Sequence, residues 1–399
     1  MDPAMILLVV SAGVVLYAYA GYPVLLWLAT AFGRRRGEPP AKISDDEWPM
    51  ISISLPVYNE AAQVRETIES LLALDYPADR LQIVVISDAS DDGTDEIVAE
   101  YADRGVDLVR QPERRGKTAA ENAGRRHLRG EIVVNTDASI RIRPDALKPL
   151  IARFADPTVG VASGRDVSVT RVHRESNVGE SGYVGYEMWV RDLETRLAGI
   201  VGASGCFYAI RAHLHQEMLP EALSRDFAAA MVAREHGFRA VSVNEAVCYV
   251  PRARSLRHEY RRKVRTITRG LETLFFKRHL LNPFHYGAFA WMLFSHKLCR
   301  WLAPWFAMAA VAALAVLAAS EPWALAAVGG VLLGFSLAAA GWLWPDHRKP
   351  PRLLALPAFM LVGNAAAIQG MMNALRGELN PVWEPTRREA VPASLAKAE

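Results

Sequence analysis

Cysteine is scarce in this chain, and its distribution excludes two classes of protein. The three cysteines among 399 residues, Cys206, Cys248 and Cys299, are odd in number and far apart. Disulfide scaffolds and paired-cysteine metal sites use even or closely spaced sets of cysteine. The middle of the chain is therefore expected in a reducing, cytoplasmic environment.

Charge is missing from residues 5–32, an apolar run longer than the roughly 20 residues that a membrane-spanning helix needs. Arg34, Arg35 and Arg36 follow this run, and basic flanks are typical of the cytoplasmic end of a span. A cleaved signal peptide is the alternative, but it would have a basic start and a shorter apolar run. We predict an N-terminal transmembrane anchor over residues 1–33.

Three further apolar stretches lie late in the chain, at about 298–320, 323–344 and 353–375. Ahead of them, one short segment is crowded with basic side chains: Arg252, Arg254, Arg257, Arg261, Arg262, Lys263, Arg265 and Arg269. Such a segment favours helices at the surface of an anionic membrane. After the anchor we therefore predict a soluble domain (48–250), basic interfacial helices (251–297), transmembrane helices (298–375) and a tail (376–399).

Strands and helices alternate in the soluble domain. Ile51–Val57 and 81–88 have the pattern of buried strands, and Val64, Ile68 and Leu71 between them repeat at helical spacing. Two more strands follow at 105–111 and 131–139, with a helix between them. This order predicts an α/β fold, a mostly parallel sheet with helices on both faces.

Acidic residues follow several of the predicted strands. Glu60, Asp88 and Asp137 each come at a carboxyl end, and in a parallel sheet these ends meet at one edge, where ligands bind. Asp and Ser also make turns, which is the alternative reading. Turn chemistry alone would scatter acids along both edges, so the convergence favours a binding site.

A nucleotide sugar would suit such a site. Its base needs an acceptor for a ring N–H, and its diphosphate needs a divalent cation held by oxygen ligands. Lys117, after Gly116 at a predicted helix N-terminus, and the arginine segment could meet the remaining phosphate charge.

The chain resembles the family 2 glycosyltransferases of GT-A fold, especially the membrane-anchored bacterial enzymes that build cell-surface polysaccharides. The resemblance covers about residues 50–275 and rests on seven motifs in the family's order: PVYNE (56–60), SDASDDGT (87–94), GKTAAENAG (116–124), NTDAS (135–139), GASGCFYAIR (202–211), SRDF (224–227) and RRKVRTITRG (261–270). It implies a multi-pass protein of the inner (cytoplasmic) membrane with its catalytic domain in the cytoplasm.

The resemblance also implies residue roles. Asp226 would be the catalytic base of an inverting transfer, and Asp137 would ligate Mg²⁺ or Mn²⁺. The substrate-binding residues would be Pro56, Tyr58, Glu60, Asp88 (at the uracil), Lys117, Asp137, Ser139, Gly205, Arg262 and Arg265. The expected partners are a UDP-sugar donor, a lipid-linked or polysaccharide acceptor and membrane lipid, and no nucleic acid.

Each of these roles has a structural alternative. An acid at Asp226, in the first turn of a helix, would stabilise the helix dipole. Lys117 could be a solvated helix start, and the arginines could contact only lipid headgroups.

Two departures from the family pattern bear on the reaction. Ser139 stands where a second metal-binding aspartate is usual, which Mg²⁺ tolerates because it keeps several waters. The arginine segment lacks the QxxRW sequence of processive synthases, and Lys297 replaces the glutamine before Arg300 and Trp301. Transfer of a single sugar is therefore expected, with a processive synthase as the alternative.

Other classes fit less well. QPERRGKT (111–118) ends like a phosphate-binding P-loop, but it has Gln111 in place of the first glycine and Pro112 without an amide proton. GASGC (202–206) fails the serine hydrolase pattern at Cys206. A membrane protein with a regulatory nucleotide-binding module remains a different-class alternative, and turnover would distinguish it.

The side of the tail is the least determined feature. Arg376, Arg387 and Arg388 favour the cytoplasm, and Trp383 and Thr386 resemble residues that face the active site in related enzymes. Three full crossings after a cytoplasmic domain would instead place the tail outside. We expect the outside location.

Overall fold

The computed structural model describes residues 2–32, 43–44, 47–169, 178–251, 256–345, 350–378 and 382. Several sequence-predicted features lie outside these residues, namely the basic positions 34–36, 252 and 254 and the tail after residue 382.

The soluble part contains eight strands among the described residues: β1 (Ile51–Val57), β2 (Leu81–Ser87), β3 (Val106–Arg110), β4 (Ile132–Thr136), β5 (Arg141–Ile142), β6 (Val159–Val169), β7 (Phe207–Arg211) and β8 (Arg239–Pro251). Its helices are α3 (Val64–Leu72), α4 (Thr94–Ala99), α5 (Lys117–Gly124), α6 (Leu147–Ala152), α7 (Val178–Leu197), α8 (Ala212–His215) and α9 (Arg225–Glu235). The remaining helices are α1 (Pro3–Leu16), α2 (Tyr22–Phe32), α10 (Leu256–Phe276), α11 (Pro283–Tyr286), α12 (Ala288–Leu293), α13 (Arg300–Leu317), α14 (Pro322–Trp342) and α15 (Arg352–Arg376).

The strands form one sheet in the order β3-β2-β1-β4-β7-β6-β8-β5. The pairs β1–β2, β1–β4, β2–β3 and β6–β8 are parallel, whereas β7 is antiparallel to β4 and β6, and β5 is antiparallel to β8. The predicted α/β class with a mostly parallel sheet is confirmed. Because β1, β2 and β4 are parallel, their carboxyl ends share one edge, as the sequence pattern required.

Side-chain alternation along the strands divides the core between the two faces of the sheet. In β2, Ile83 and Val85 face one cluster, while Val84 and Ile86 face the other. This follows from the period of two residues in a strand. A sheet buried on both faces is rigid, so the residues at its strand ends are held in fixed positions.

Four helical segments are long and apolar enough to cross a membrane: Pro3–Ala31, Ala288–Leu317, Pro322–Trp342 and Arg352–Arg376. The second begins before the predicted start at 298, because α12 continues into α13 through a π-helical turn, Phe294–Cys299.

A buried polar network joins this turn to the soluble domain. His296 contacts Glu194 through Nδ1 (2.6 Å) and Glu187 through Nε2 (2.7 Å). The Tyr22 hydroxyl donates to Glu194 (2.6 Å), and Arg300 donates to Glu187 (2.7 Å). Both glutamates lie on α7, so α7 is bonded to the first and second candidate spans at once.

The C-terminal half of α15 packs against α10. The Thr268 hydroxyl donates to the carbonyl of Gly370 (3.2 Å), and the Tyr260 hydroxyl donates to the side-chain oxygen of Gln369. A Cβ on Gly370 would lie 3.0 Å from Cβ of Ile267, so a glycine here permits the close approach.

The packing of α15 on α10 places the residues after α15 close to the soluble domain. Glu378 and Val382, which follow α15, line the same cavity as Ala222 of the soluble domain and Arg269 of α10. They therefore lie on the side of the soluble domain, and the expected location on the opposite side is wrong for these residues. Counting spans failed because α15 ends against α10. Trp383 and Thr386 lie outside the described residues.

Candidate active site

A solvent-open cleft of about 950 Å³ lies at the carboxyl edge of the parallel strands. One side, here called the donor wall, comprises Glu60, Lys117, Glu121, Asp137 and Ser139. The other side, here called the membrane wall, comprises Arg262, Arg265, Thr266 and Arg269 of α10. Between them lie Thr118, Gly205, Cys206, Tyr208, Ser224, Arg225 and Asp226.

Lys117 lies at the centre of the donor wall. Its ammonium group donates to Oδ1 of Asp137 (2.5 Å) and to the carbonyl oxygen of Gly205 (3.2 Å). Burial lowers the pKa of Lys117, but the charges of Asp137, Glu121 and Asp226 outweigh burial, and the net pKa is raised. The lysine is therefore protonated, and three carboxylates converge on its one positive charge.

Asp226 occupies the first turn of α9, which begins where the cleft meets the membrane wall. Its Oδ1 accepts a hydrogen bond from the Ser224 hydroxyl (2.5 Å), and a Cβ on Gly205 would lie 2.7 Å from its Oδ2. Gly205 thus leaves room beside the carboxylate. The backbone amide of Ser224 donates to the Thr273 hydroxyl (2.9 Å), so α10 fixes the start of α9.

The arginines of α10 differ in their contacts. Arg262 makes two hydrogen bonds to Glu259, of 2.9 and 2.8 Å. Arg269 donates to the Thr118 hydroxyl (2.8 Å) and to the carbonyls of Glu221 (3.3 Å) and Leu223 (2.5 Å). Arg269 therefore ties α10 to the segment before α9 and to α5.

Of the sequence-predicted site residues, Glu60, Lys117, Asp137, Ser139, Gly205, Asp226, Arg262 and Arg265 are brought together in the cleft. The lining residues do not include Pro56, Tyr58 or Asp88. Pro56 is buried within β1, and Tyr58 stacks under the guanidinium of Arg114, 3.8 Å from the ring centroid.

Asp88 supports the loop that leads into α5. Its buried carboxylate accepts hydrogen bonds from the Gln111 side chain (2.7 Å) and from the amides of Arg115 (2.8 Å) and Gly116 (2.7 Å). Gly116 has φ of 97°, a conformation that favours glycine. A carboxylate has about four acceptor positions, so a contact to a base would use the one that is left.

The neighbouring aspartates of the same motif make turn contacts. Asn59 and Asp91 exchange two hydrogen bonds, of 2.7 and 3.0 Å, and Asp92 accepts from the amide of Ala61 (3.0 Å). Asp95 pairs with Arg110. For Asp91 and Asp92 the turn interpretation applies, because they join the loops after β1 and β2. The pair of Asp95 and Arg110 instead joins α4 to β3.

Eight lining residues of the cleft were not among the site residues predicted from the sequence, and Glu121, Tyr208 and Arg225 are three of them. Glu121 and Tyr208 are almost fully buried, and Glu121 Oε2 and the Tyr208 hydroxyl have no hydrogen-bond partner among the described residues. Burial raises the pKa of Glu121, although Lys117 and Arg225 oppose the shift. Glu121 comes one helical turn after Lys117, so the i,i+4 spacing could have revealed it; Arg225 and Tyr208 gave no such signal.

The donor set suits one metal ligand rather than a complete metal cage. Among the described residues, no group of three or more His, Cys, Asp or Glu could hold a metal ion. Asp137 does hold a cation in this structure, the ammonium of Lys117. A site with one carboxylate fits Mg²⁺ or Mn²⁺ only if diphosphate oxygens and water supply the other ligands.

Comparison with known proteins relates this chain to one family of enzymes. The sequence model of Glycosyl transferase family 2 matches residues 52–218. A solved mannosyltransferase, PcManGT from Pyrobaculum calidifontis in complex with GDP-Man and Mn²⁺, is 26% identical and superimposes with a TM-score of 0.67 over 93% of this chain and 99% of its own. Residues 52–218 thus match the sequence model of family 2 glycosyltransferases, and the fold is an α/β fold of GT-A type.

Curated relatives carry related descriptions. An N-acetylglucosaminyltransferase of Mesorhizobium japonicum is 30% identical over 184 residues, 45% of this chain and 42% of the relative. A poly-beta-1,6-N-acetyl-D-glucosamine synthase of Staphylococcus aureus is 26% identical over 244 residues, 58% of this chain and 57% of the relative. The chain thus spans less than two thirds of either relative's length.

Proposed function

We propose that the protein is a membrane-bound, inverting glycosyltransferase that transfers a sugar from a UDP-sugar to a lipid-linked or polysaccharide acceptor in the synthesis of cell-surface polysaccharide. The observation that carries the proposal is the cleft itself. It joins Lys117, Asp137 and Asp226 to an arginine-bearing helix that packs on candidate membrane spans. The enzyme would sit in the inner membrane with its catalytic domain in the cytoplasm.

The proposed chemistry follows from the charges in the cleft. Asp226 accepts the proton of the acceptor hydroxyl, since a general base must reach that proton and its carboxylate faces the space beside Gly205. Lys117, Arg262 and Arg265 stabilise the negative charge that develops on the leaving diphosphate. One displacement at the anomeric carbon inverts its configuration.

The metal would be held by Asp137, with Ser139 beside it. When bound, Mg²⁺ or Mn²⁺ would neutralise charge on the diphosphate and so make it a better leaving group. The Mn²⁺ in the PcManGT structure supports the use of a divalent metal. In this structure the ammonium group of Lys117 donates to Asp137. With the donor bound it would donate to a phosphate oxygen instead, because its single positive charge would serve one of the two anions at a time.

The proposal also names the nucleotide that carries the sugar. The descriptions of the Mesorhizobium and Staphylococcus relatives support an N-acetylhexosamine donor, for which UDP is the proposed carrier. The PcManGT complex, with GDP-Man, supports the second candidate, a GDP-sugar. Single addition is proposed over processive synthesis, since the arginine segment lacks the QxxRW sequence.

Turnover of nucleotide sugars by the detergent-solubilised full chain tests the proposal. We expect release of UDP from one UDP-sugar of a panel that includes UDP-N-acetylglucosamine, UDP-glucose and GDP-mannose, and transfer to a lipid extract with inverted configuration. Binding of a nucleotide without turnover of any donor would support a regulatory module and overturn the proposal. Long polymeric products would replace single addition by processive synthesis.

A further inference from the structure

A second cavity of about 860 Å³ lies on the other side of the α10 arginines from the catalytic cleft. Its lining includes Arg261, Arg265 and Arg269 of α10, Gln369 of α15, Glu378 after α15 and Ala222 of the soluble domain. Arg265 and Arg269 line both spaces, so the cavity adjoins the catalytic cleft.

The cavity is rich in hydrogen-bond donors and positive charge. Arg261, Arg265 and Arg269 recur every four residues and so present three guanidinium groups on one face of the helix. The described lining has one carboxylate, that of Glu378, which is exposed to solvent. Its balance of charge therefore favours an anion.

Two of these arginines retain donor capacity. Among the described residues, Arg261 has no hydrogen bond or ion pair to a carboxylate, and it is exposed to solvent. Arg269 uses Nε and Nη2 for its bonds to backbone carbonyls and Thr118, which leaves Nη1 without a described partner. Guanidinium groups bind phosphate with two parallel hydrogen bonds, and no other common side chain does so as well.

α15 completes the donor set. The side-chain oxygen of Gln369 accepts the Tyr260 hydroxyl, so the amide nitrogen of Gln369 is the end that can donate. Gly370 permits close packing of α15 on α10, and this packing fixes the α15 side of the second cavity. α15 is also long and apolar enough to cross a membrane, and a cavity beside the end of such a helix suits a lipid headgroup.

We propose that this cavity binds the phosphoryl group of a membrane lipid through Arg261, Arg269 and Gln369. The inference deepens the proposed function, because a lipid phosphate held here would bring a lipid-linked acceptor next to Asp226. The phosphoryl group could belong to the acceptor or to a bulk anionic lipid, and the chemistry of recognition is the same for both.

Binding of dodecyl phosphate to the full chain in detergent tests the proposal without any turnover, so its outcome is independent of the donor. Dodecanol measures the contribution of the alkyl chain alone. We expect tighter binding of dodecyl phosphate than of dodecanol, and a loss of about tenfold in Arg261→Gln, as expected when a charged hydrogen bond is removed. Gln369→Leu should lose affinity to a smaller extent, because its donor is neutral.

Arg257→Gln is the matched control, since Arg257 is an exposed arginine of α10 that lines neither space. It should bind dodecyl phosphate as the unsubstituted chain does, and all three variants should retain UDP binding. Equal affinity in Arg261→Gln and Arg257→Gln, or equal binding of dodecanol, would overturn the proposal. Both results can be obtained even if no donor is turned over.

A second arm separates the two sources of phosphate. In nanodiscs of phosphatidylcholine, added phosphatidylglycerol competes with dodecyl phosphate if the cavity accepts bulk headgroups. Persistence of dodecyl phosphate binding supports a phosphomonoester, as a lipid-linked acceptor would carry. Either result supports recognition of a phosphoryl group, provided that Arg261→Gln loses the binding of dodecyl phosphate. Undiminished binding in Arg261→Gln contradicts the proposal.

Discussion

The donor wall of the cleft rests on the ends of parallel strands, whereas the membrane wall is a single helix that depends on its neighbours. Asp137 follows β4 directly, and Asp88 fixes the loop before Lys117 with three hydrogen bonds. The membrane wall is positioned by Arg269, which binds backbone carbonyls, and by the packing of Gly370 on α10. The position of the donor wall therefore follows from the sheet itself, whereas the position of the membrane wall depends on contacts between segments that are distant in the chain.

Asp226 belongs to neither wall, and its substitution should have the largest effect. Asp226→Asn keeps the size of the side chain but removes the base, so transfer should fall by about 10²- to 10⁴-fold. UDP binding should stay within about twofold, because the proposed base acts on the acceptor. Parallel assays of transfer and of UDP affinity check this, and an Asp226→Asn enzyme with normal transfer would reassign the base.

The donor wall is tested by Asp137→Asn and by EDTA. Turnover should fall by about 10²-fold or more in either case, because the substitution removes the proposed metal ligand and EDTA removes the metal. The domain should remain folded, since the change lies at a partly exposed strand end. Circular dichroism supplies the folding control, and full activity in excess EDTA would contradict the assignment.

Arg269→Gln tests whether the membrane wall positions Asp226. Loss of its bonds to the segment before α9 should lower transfer about tenfold, with a smaller change in UDP affinity. Arg269→Lys should restore part of the activity, and Arg257→Gln should have none of these effects. A loss of UDP affinity as large as the loss of transfer would show instead that Arg269 acts on the donor.

The smallest effect is expected on stability, at the buried His215, which contacts Asn135 of β4. Burial, with Arg225 and Arg125 nearby, holds the pKa of His215 well below 6.5. Because the folded pKa is lowered, the contribution to stability is present above about pH 6.5 and is lost as the pH falls toward the folded value. Going from pH 7 to 5.5 should cost the unsubstituted chain about 1 kcal/mol more than His215→Asn.

Thermal unfolding in detergent at the two pH values would show this difference as a shift of about 2–4 °C. The comparison of interest is the change with pH within each protein, because the asparagine also alters the contact between His215 and Asn135 (3.2 Å). Parallel curves for the two proteins would mean that His215 does not titrate in this range.

Much of the fold could be predicted from the sequence because its signals are local. The alternation of strands and helices gave the parallel strands β1, β2, β3 and β4, and apolar runs gave the four candidate spans. Strand ends then gave Glu60 and Asp137, since the carboxyl ends of parallel strands must meet, and the start of a predicted helix gave Lys117. Those inferences use periods of two and 3.6 residues and the geometry of a parallel sheet, which need no knowledge of distant contacts.

What only the tertiary structure decided concerns partners far apart in the chain. The fold brings the amides of Arg115 and Gly116 and the side chain of Gln111 onto the buried carboxylate of Asp88, which therefore supports residues 111–116. The contact of Asp88 with uracil stays a prediction. Glu121 and Tyr208 reached the cleft because α5 and β7 pack beside it. The side on which α15 ends was decided by its contact with α10, since an apolar helix of sufficient length can either cross a membrane or pack along a neighbouring helix, and its composition is the same in both cases.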